Sequence, residues 1–265
     1  MKNIGFIGMG NMGSGILKGL LKHRFDPAAL LFTDVSPERC EIVTAETGVE
    51  SVSSNAACAA AVSYLVLAIK PQYYETVLEE ICQELTHDPV IISIAPGKTI
   101  AYLKEMLGHE RRIVRAMPNT PALLGEGMTG VCFDPKEFSE EERNLIAQFF
   151  QSFGRMEIVD ESLMDAVVCA SGSSPAYVYM MIEALADSAV KCGLSRNQAY
   201  KMVAQTVLGS ARMVLETGMH PGELKDMVCS PGGTTIAAVE ALEQWGFRNS
   251  LMKATEACFQ RCKSI

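Results

Sequence analysis

The feature that most constrains this chain is the stretch NIGFIGMGNMGSGI, an apolar run that passes into spaced glycines and then into a helical pattern. Gly8-Met9-Gly10-Asn11-Met12-Gly13 has the GxGxxG spacing of a dinucleotide-binding turn. Alone, that spacing is a weak signal. Between a strand and a helix it acquires a mechanism. The first glycine permits a tight turn, the second lets the backbone approach a pyrophosphate, and the third lets helix and strand pack closely. The helix N-terminus then offers unpaired N–H groups and the positive end of its dipole to the phosphates.

The rest of the first ~160 residues continues what such a turn starts, alternating short apolar runs with amphipathic segments. Strands are predicted at Asn3–Ile7, Leu30–Thr33, Tyr64–Ala68, Val90–Ile94, Arg112–Ala116 and Met128–Cys132, with a weaker one at Met156–Val159. Helices are predicted at Asn11–His23, Pro37–Thr47, Tyr73–Leu85, Ile100–Leu107 and Ser139–Phe153, the last opened by a Ser139/Glu142 capping box. After Asp160 the strand signals stop. Helices are predicted at Glu161–Ala170, Pro175–Cys192, Arg196–Thr217, Pro221–Val228, Thr234–Gln244 and Gly246–Lys263. The expected fold is therefore α/β: a Rossmann-type doubly wound sheet over residues 1–160, then an all-helical part over 161–265.

One helix carries a further consequence. In AYVYMMIEALADSAV the charged residues Glu183 and Asp187 share one stripe, and the remaining circumference is almost wholly apolar. Such a helix must be covered on most sides. A helical part of about 100 residues has little to spare for that, so a second copy of the chain is expected on it, giving a homodimer. A single central core helix is the other reading.

Composition excludes several classes. A net charge of −8 argues against a general nucleic-acid binder. Nine cysteines without a CxxC pair are expected to be reduced thiols rather than a metal site or disulfide framework. The most apolar stretch, Ala56–Ile69, is too short to span a bilayer, so no membrane association is expected and the location is expected to be cytoplasmic. No GxSxG, HExxH or phosphate-binding P-loop occurs, and no histidine–aspartate pair is evident.

Further candidate residues lie at predicted strand ends and helix starts. Asp34 follows the second strand, where an acid can accept hydrogen bonds from a cofactor ribose; it can equally cap the chain before Pro37. Arg39, five residues on, would offset its charge toward a 2′-phosphate, which leaves NADH and NADPH both open. Ala68-Ile69-Lys70-Pro71, Ser93–Gly97 and Arg115–Pro121 end three predicted strands with Pro or Gly, and together they suggest a cleft. Ser171–Pro175 and Ser230-Pro231-Gly232-Gly233-Thr234-Thr235 open two helices with small, hydroxyl-rich residues. Each is either a plain cap or a site for a carboxylate.

The segments FIGMGNMG, AIKPQ, RAMPNTPALLGEGMT, SGSSPAYVY and HPGELKDMVCSPGGTTI together closely resemble the pyrroline-5-carboxylate reductase family, from Asn3 to about Lys263. RAMPNTPA and SPGGTT are highly specific to it; the glycine motif is not. The resemblance implies an NADPH- or NADH-dependent reductase that converts the cyclic imine pyrroline-5-carboxylate to proline, built as a dimer of interlocked helices and often assembled into rings. By analogy Ile7, Gly8, Met9, Gly10, Asn11, Met12, Asn55, Ala68, Ile69, Lys70 and Pro71 contact the cofactor. Met117, Pro118 and Asn119 lie by the nicotinamide. The loop Ser230–Thr235 of the partner subunit holds the substrate carboxylate and ring nitrogen, through Ser230, Gly232, Gly233, Thr234 and Thr235. Thr235 is the candidate to bond that nitrogen and relay a proton. Asp34 departs from the Ser or Thr of many NADPH-preferring members, which puts the usual preference in question. Two rivals weigh less. A hydroxyacid dehydrogenase would carry a lysine in Leu163–Val190, where none occurs. A non-catalytic dinucleotide sensor could have lost SPGGTT, which is kept.

Overall fold

The computed structural model describes residues 2–264. Contacts divide the chain into one unit formed by the residues up to Ser173 with those from Phe259 on, and a second unit, Ser174–Cys258.

The first unit is built on a sheet of eight strands: β1 (Lys2–Ile7), β2 (Leu30–Thr33), β3 (Glu50–Ser51), β4 (Val62–Leu67), β5 (Val90–Ser93), β6 (Ile113–Met117), β7 (Gly127–Cys132) and β8 (Gly154–Ile158). Their spatial order is β3-β2-β1-β4-β5-β6-β7-β8. The order reverses between β1 and β4, which is the crevice where doubly wound sheets bind ligands. All pairs are parallel except β6–β7. Only Pro118–Glu126 joins those two, too little for a crossover helix, so the chain turns back on itself.

Six helices of this unit cover the sheet: α1 (Asn11–Lys22), α2 (Pro37–Thr47), α3 (Asn55–Ala61), α4 (Tyr74–Cys82), α5 (Ile100–Leu107) and α6 (Glu140–Gln151). Side chains alternate along each strand. Ile4, Phe6, Phe32, Val66, Ile92 and Val114 face one core with Leu17 and Leu20 of α1, Val43 of α2 and Phe149 and Phe150 of α6. Ile7, Leu31, Leu65, Leu67, Ile91 and Ile113 face another with Cys58 of α3, Leu78 and Ile81 of α4 and Leu103 of α5. β3 and α3 were not expected. β3 has two residues, and α3 is NAACAAA, small throughout and without amphipathic period; the Ser54 hydroxyl accepting from Ala57 N–H starts it. The segment expected as one helix at Glu161–Ala170 is a 3₁₀ turn (Glu161–Leu163), the short helix α7 (Met164–Val167) and a π turn over Val168–Gly172.

The second unit contains α8 (Ser174–Lys191), α9 (Arg196–Thr217), α10 (Pro221–Val228), α11 (Thr234–Gln244) and most of α12 (Phe247–Cys262). The Ser195/Gln198 capping box starts α9, and left-handed Gly218 (φ 66°) ends it. These helices bury little within one chain: Ala186 is the buried residue of α8 and Ala199 that of α9, while Tyr179, Met180, Leu185, Met202, Leu215 and Trp245 are exposed.

Candidate active site

The glycine turn lies where β1 meets α1. Gly8 has φ 97°, and a Cβ there would sit 2.8 Å from the Ala68 carbonyl oxygen. A Cβ on Gly13 would sit 2.2 Å from the Gly8 carbonyl oxygen, so helix and turn fit only because it is absent. Around Gly10 a Cβ would meet nothing within 4 Å. That open side faces the start of α1, which has no side-chain cap and no acid in its first turn. An uncapped, acid-free helix start behind a bare backbone fits a diphosphate.

Two charged residues tie the turn down. Met9 N–H donates to Asp34 Oδ2 at 2.6 Å, and Asp34 Oδ1 accepts from Ser36 N–H at 2.9 Å. Arg39 of α2 donates through Nε to the Met9 carbonyl and through Nη2 to Ser14 Oγ, both at 2.6 Å. The Met9 side chain is fully buried, and its backbone N–H and carbonyl are both engaged inside the fold. Asn11 is exposed, and Met12 packs partly against the core.

Beside the turn is a cavity of about 370 Å³. It gathers Ile7, Gly8, Asp34, Asn55 and Ile69 from the sequence reading. It also gathers Val35, Tyr73, Thr76, Val77 and Glu80, which that reading missed. The signal for the last four was their spacing, which puts them on one face of the helix after Lys70-Pro71. Pro71 opens a 3₁₀ turn, Pro71–Tyr73, with exposed Lys70 before it. The Ala68 N–H bonds the Ile7 carbonyl at 2.9 Å, which holds the two strand ends together beneath the cavity. Tyr74 fixes the next layer: its hydroxyl donates to the Leu67 carbonyl and meets Ser93 Oγ, each at 3.0 Å. Burial pushes its phenol well above the usual tyrosine range, so it stays neutral and serves as a strut.

At the end of β6, Met117 lies beside Gly172, where a Cβ would come within 3.0 Å of Met117 Cε. Pro118 is buried. The Asn119 side chain is spent on the fold: Nδ2 donates to the Ser171 carbonyl at 3.0 Å and Oδ1 accepts from Met128 N–H at 2.9 Å. It pins β7 and the π turn to the end of β6. Arg115, in the same motif, is 6% exposed and pairs with Glu161 at 3.0 Å, so its cation is also structural.

In the helical unit, Ser230–Thr235 folds as a tight turn into α11. Gly232 has φ 66°, and Gly233 N–H donates to the Ser230 carbonyl at 3.0 Å. A Cβ on Gly233 would strike Ser230 Oγ at 2.3 Å. Gly233 caps α11 without a side chain, and no acid lies in the first turn. Thr234 is exposed and Thr235 half-buried. This is a second uncapped helix start, suited to a small anion.

A Rossmann sheet with this glycine turn, followed by a helical unit, defines the class: the protein is an NAD(P)H-dependent oxidoreductase. Residues 3–97 match the family model described as NADP oxidoreductase, coenzyme F420-dependent. Residues 161–265 match the model of pyrroline-5-carboxylate reductase dimerisation. The chain is 45% identical over 265 residues to the pyrroline-5-carboxylate reductase of Escherichia coli (strain K12), which covers 100% of this chain and 98% of that protein. With that of Pisum sativum it shares 40% over 262 residues, 99% of this chain and 95% of that protein. Among solved structures, a pyrroline-5-carboxylate reductase from Coxiella burnetii superposes with a TM-score of 0.92 at 35% identity, covering 99% of this chain and 98% of that one. The Plasmodium falciparum pyrroline carboxylate reductase with NADP bound gives 0.89 at 34%, covering 99% and 97%. The chain belongs to the pyrroline-5-carboxylate reductase family.

Proposed function

We propose that this chain reduces the C=N bond of L-1-pyrroline-5-carboxylate to give L-proline, with NADPH or NADH as donor, in the last step of proline biosynthesis. What carries this reading is the full-length family likeness together with two uncapped helix starts, one suited to a diphosphate and one to a carboxylate.

Residues 1–160 serve as the dinucleotide-binding part and 161–265 as the dimerisation and substrate-binding part. When bound, the reduced nicotinamide supplies the hydride. The residues of the chain supply placement. Gly8, Gly10 and Gly13 admit the diphosphate to the start of α1. Ile7, Asp34, Asn55 and Ala68–Pro71 hold the adenosine half, and Met117–Asn119 present backbone to the nicotinamide. Ser230, Gly232, Gly233 and Thr234 grip the substrate carboxylate through hydroxyls and N–H groups. The substrate carbon takes the hydride, and its protonated nitrogen becomes the amine of proline. A protonated imine is already a good acceptor, so orientation is the main requirement, worth roughly 7–11 kcal/mol in the best intramolecular cases. Thr235 bonds the ring nitrogen.

The match to a dimerisation model supports self-association; assembly as a homodimer, further into a ring of dimers, is part of this proposal. So is a cytoplasmic location without nucleic-acid or membrane partners. A net charge of −8 supports it, and among the described residues no helix is long and apolar enough to cross a membrane. Substituting Thr235→Ala tests the chemistry. Loss of one hydrogen bond to a charged group lowers kcat/KM by about tenfold or more; an unchanged kcat/KM removes Thr235 from the mechanism.

A further inference from the structure

We propose that Glu80 is a positioning residue that fixes Asn55 as a hydrogen-bond acceptor, and that this acceptor and Asp34 make the adenosine ribose site selective for NADH over NADPH. The inference rests on reading the cavity beside the glycine turn as the adenosine end of the dinucleotide site.

Asn55 Nδ2 donates to Glu80 Oε2 at 2.6 Å. An ionised carboxylate only accepts, so it must face the amide's NH₂ end. The amide is thereby locked with Oδ1 as its other end, and no hydrogen bond to that oxygen is found among the described residues. Glu80 lies on α4 and Asn55 opens α3, so the orientation is set across two helices rather than by either alone.

Asp34 adds a second acceptor. Its oxygens each take one backbone N–H, from Met9 and Ser36, and each keeps lone-pair capacity. The cavity therefore carries two carboxylates, and no Lys, Arg or His lines it. The cation nearest to Asp34 in sequence, Arg39, is held back against the glycine turn: Nε donates to the Met9 carbonyl and Nη2 to Ser14 Oγ. A ribose 2′-hydroxyl brings a proton to donate to such acceptors. A 2′-phosphate brings about −1.5 to −2 charges and only acceptor oxygens at neutral pH. Placed against the Asp34 carboxylate and the Asn55 oxygen, it would be repelled and would lose water that the hydroxyls of Tyr73 and Thr76 only partly replace. Glu80 is exposed, so its direct repulsion is screened and its orientation of Asn55 is the larger effect.

The test measures dissociation constants for NADH and NADPH on the full chain by nicotinamide fluorescence, with kcat and KM for each cofactor alongside. The wild type binds NADH tighter by about tenfold or more, the worth of roughly one charge-assisted hydrogen bond. Glu80→Ala weakens NADH by about threefold to tenfold and raises its KM while kcat holds. Glu80→Gln, whose amide both donates and accepts, no longer fixes the Asn55 amide one way round and falls between the wild type and Glu80→Ala in NADH affinity. Asn55→Ala reproduces Glu80→Ala, and combining the two adds nothing further. Equal wild-type affinities, an unchanged ratio in Glu80→Ala, or a full wild-type preference in Glu80→Gln would each overturn the proposal. Selective NADH binding without turnover of pyrroline-5-carboxylate would sink the proposed activity and leave this inference standing.

Discussion

The two units bury their apolar side chains differently. In the sheet-bearing unit, Phe6, Phe32, Val66 and Ile92 have helices of the same chain against them, and the aromatic cluster Phe149, Phe150 and Phe153 is closed. In Ser174–Cys258, Ala186 and Ala199 are the buried hydrophobics among the described residues, and Leu185, Met202, Leu215 and Trp245 stand open. The first unit has a complete core in one copy. The second has well-formed helices whose packing is not finished, as expected where a second copy completes it.

The largest expected effect follows from that contrast. Leu185, on the face of α8 away from Glu183 and Asp187, is 48% exposed in one chain. Changing Leu185→Asp removes about 2 kcal/mol of burial on each side of the proposed twofold interface and inserts a charge, weakening the proposed dimer by more than about 100-fold. Sedimentation should show monomers, and the fluorescence of Trp245, the single tryptophan, should stay constant on dilution. Unaltered assembly would break the comparison. A smaller effect belongs to the sheet unit. Gly13→Val drives a side chain into the Gly8 carbonyl, so that unit should lose about 3 kcal/mol of stability and its dinucleotide binding, with the dimer intact. Calorimetry and cofactor titration check it.

The smallest is a pH effect confined to the sheet unit. Arg112 bridges Glu142 and Asp88. Burial alone would raise the Glu142 carboxyl, but the Ser139 N–H and the Arg112 guanidinium hold it below its ordinary value of 4.5. A lowered folded value means its stabilisation is present above 4.5 and is lost as pH falls through the folded value. Glu142→Gln should therefore flatten the acid side of the stability curve and cost under about 1 kcal/mol at neutral pH. Thermal melts from neutral to acid pH would show it, with Trp245 reporting no change in the helical unit.

Much of this was legible in the sequence because the signals are local. Gly8–Gly13 sits between an apolar run and a helix, and the charge stripe of α8 already told that its other faces need cover. What escaped was set by contacts distant in sequence. Glu80 reveals itself only when α4 comes against Asn55, 25 residues earlier. That the Asn119 amide joins Met128 and Ser171 also could not be read from its own segment. The short helix α3 escaped because seven small residues leave no period to read.

The most direct test of the central claim mixes the purified chain, NADH or NADPH, and pyrroline-5-carboxylate. The account expects the reduced-nicotinamide absorbance to fall in step with the appearance of proline, one for one. Tight dinucleotide binding with neither cofactor oxidised in the presence of that imine would contradict it.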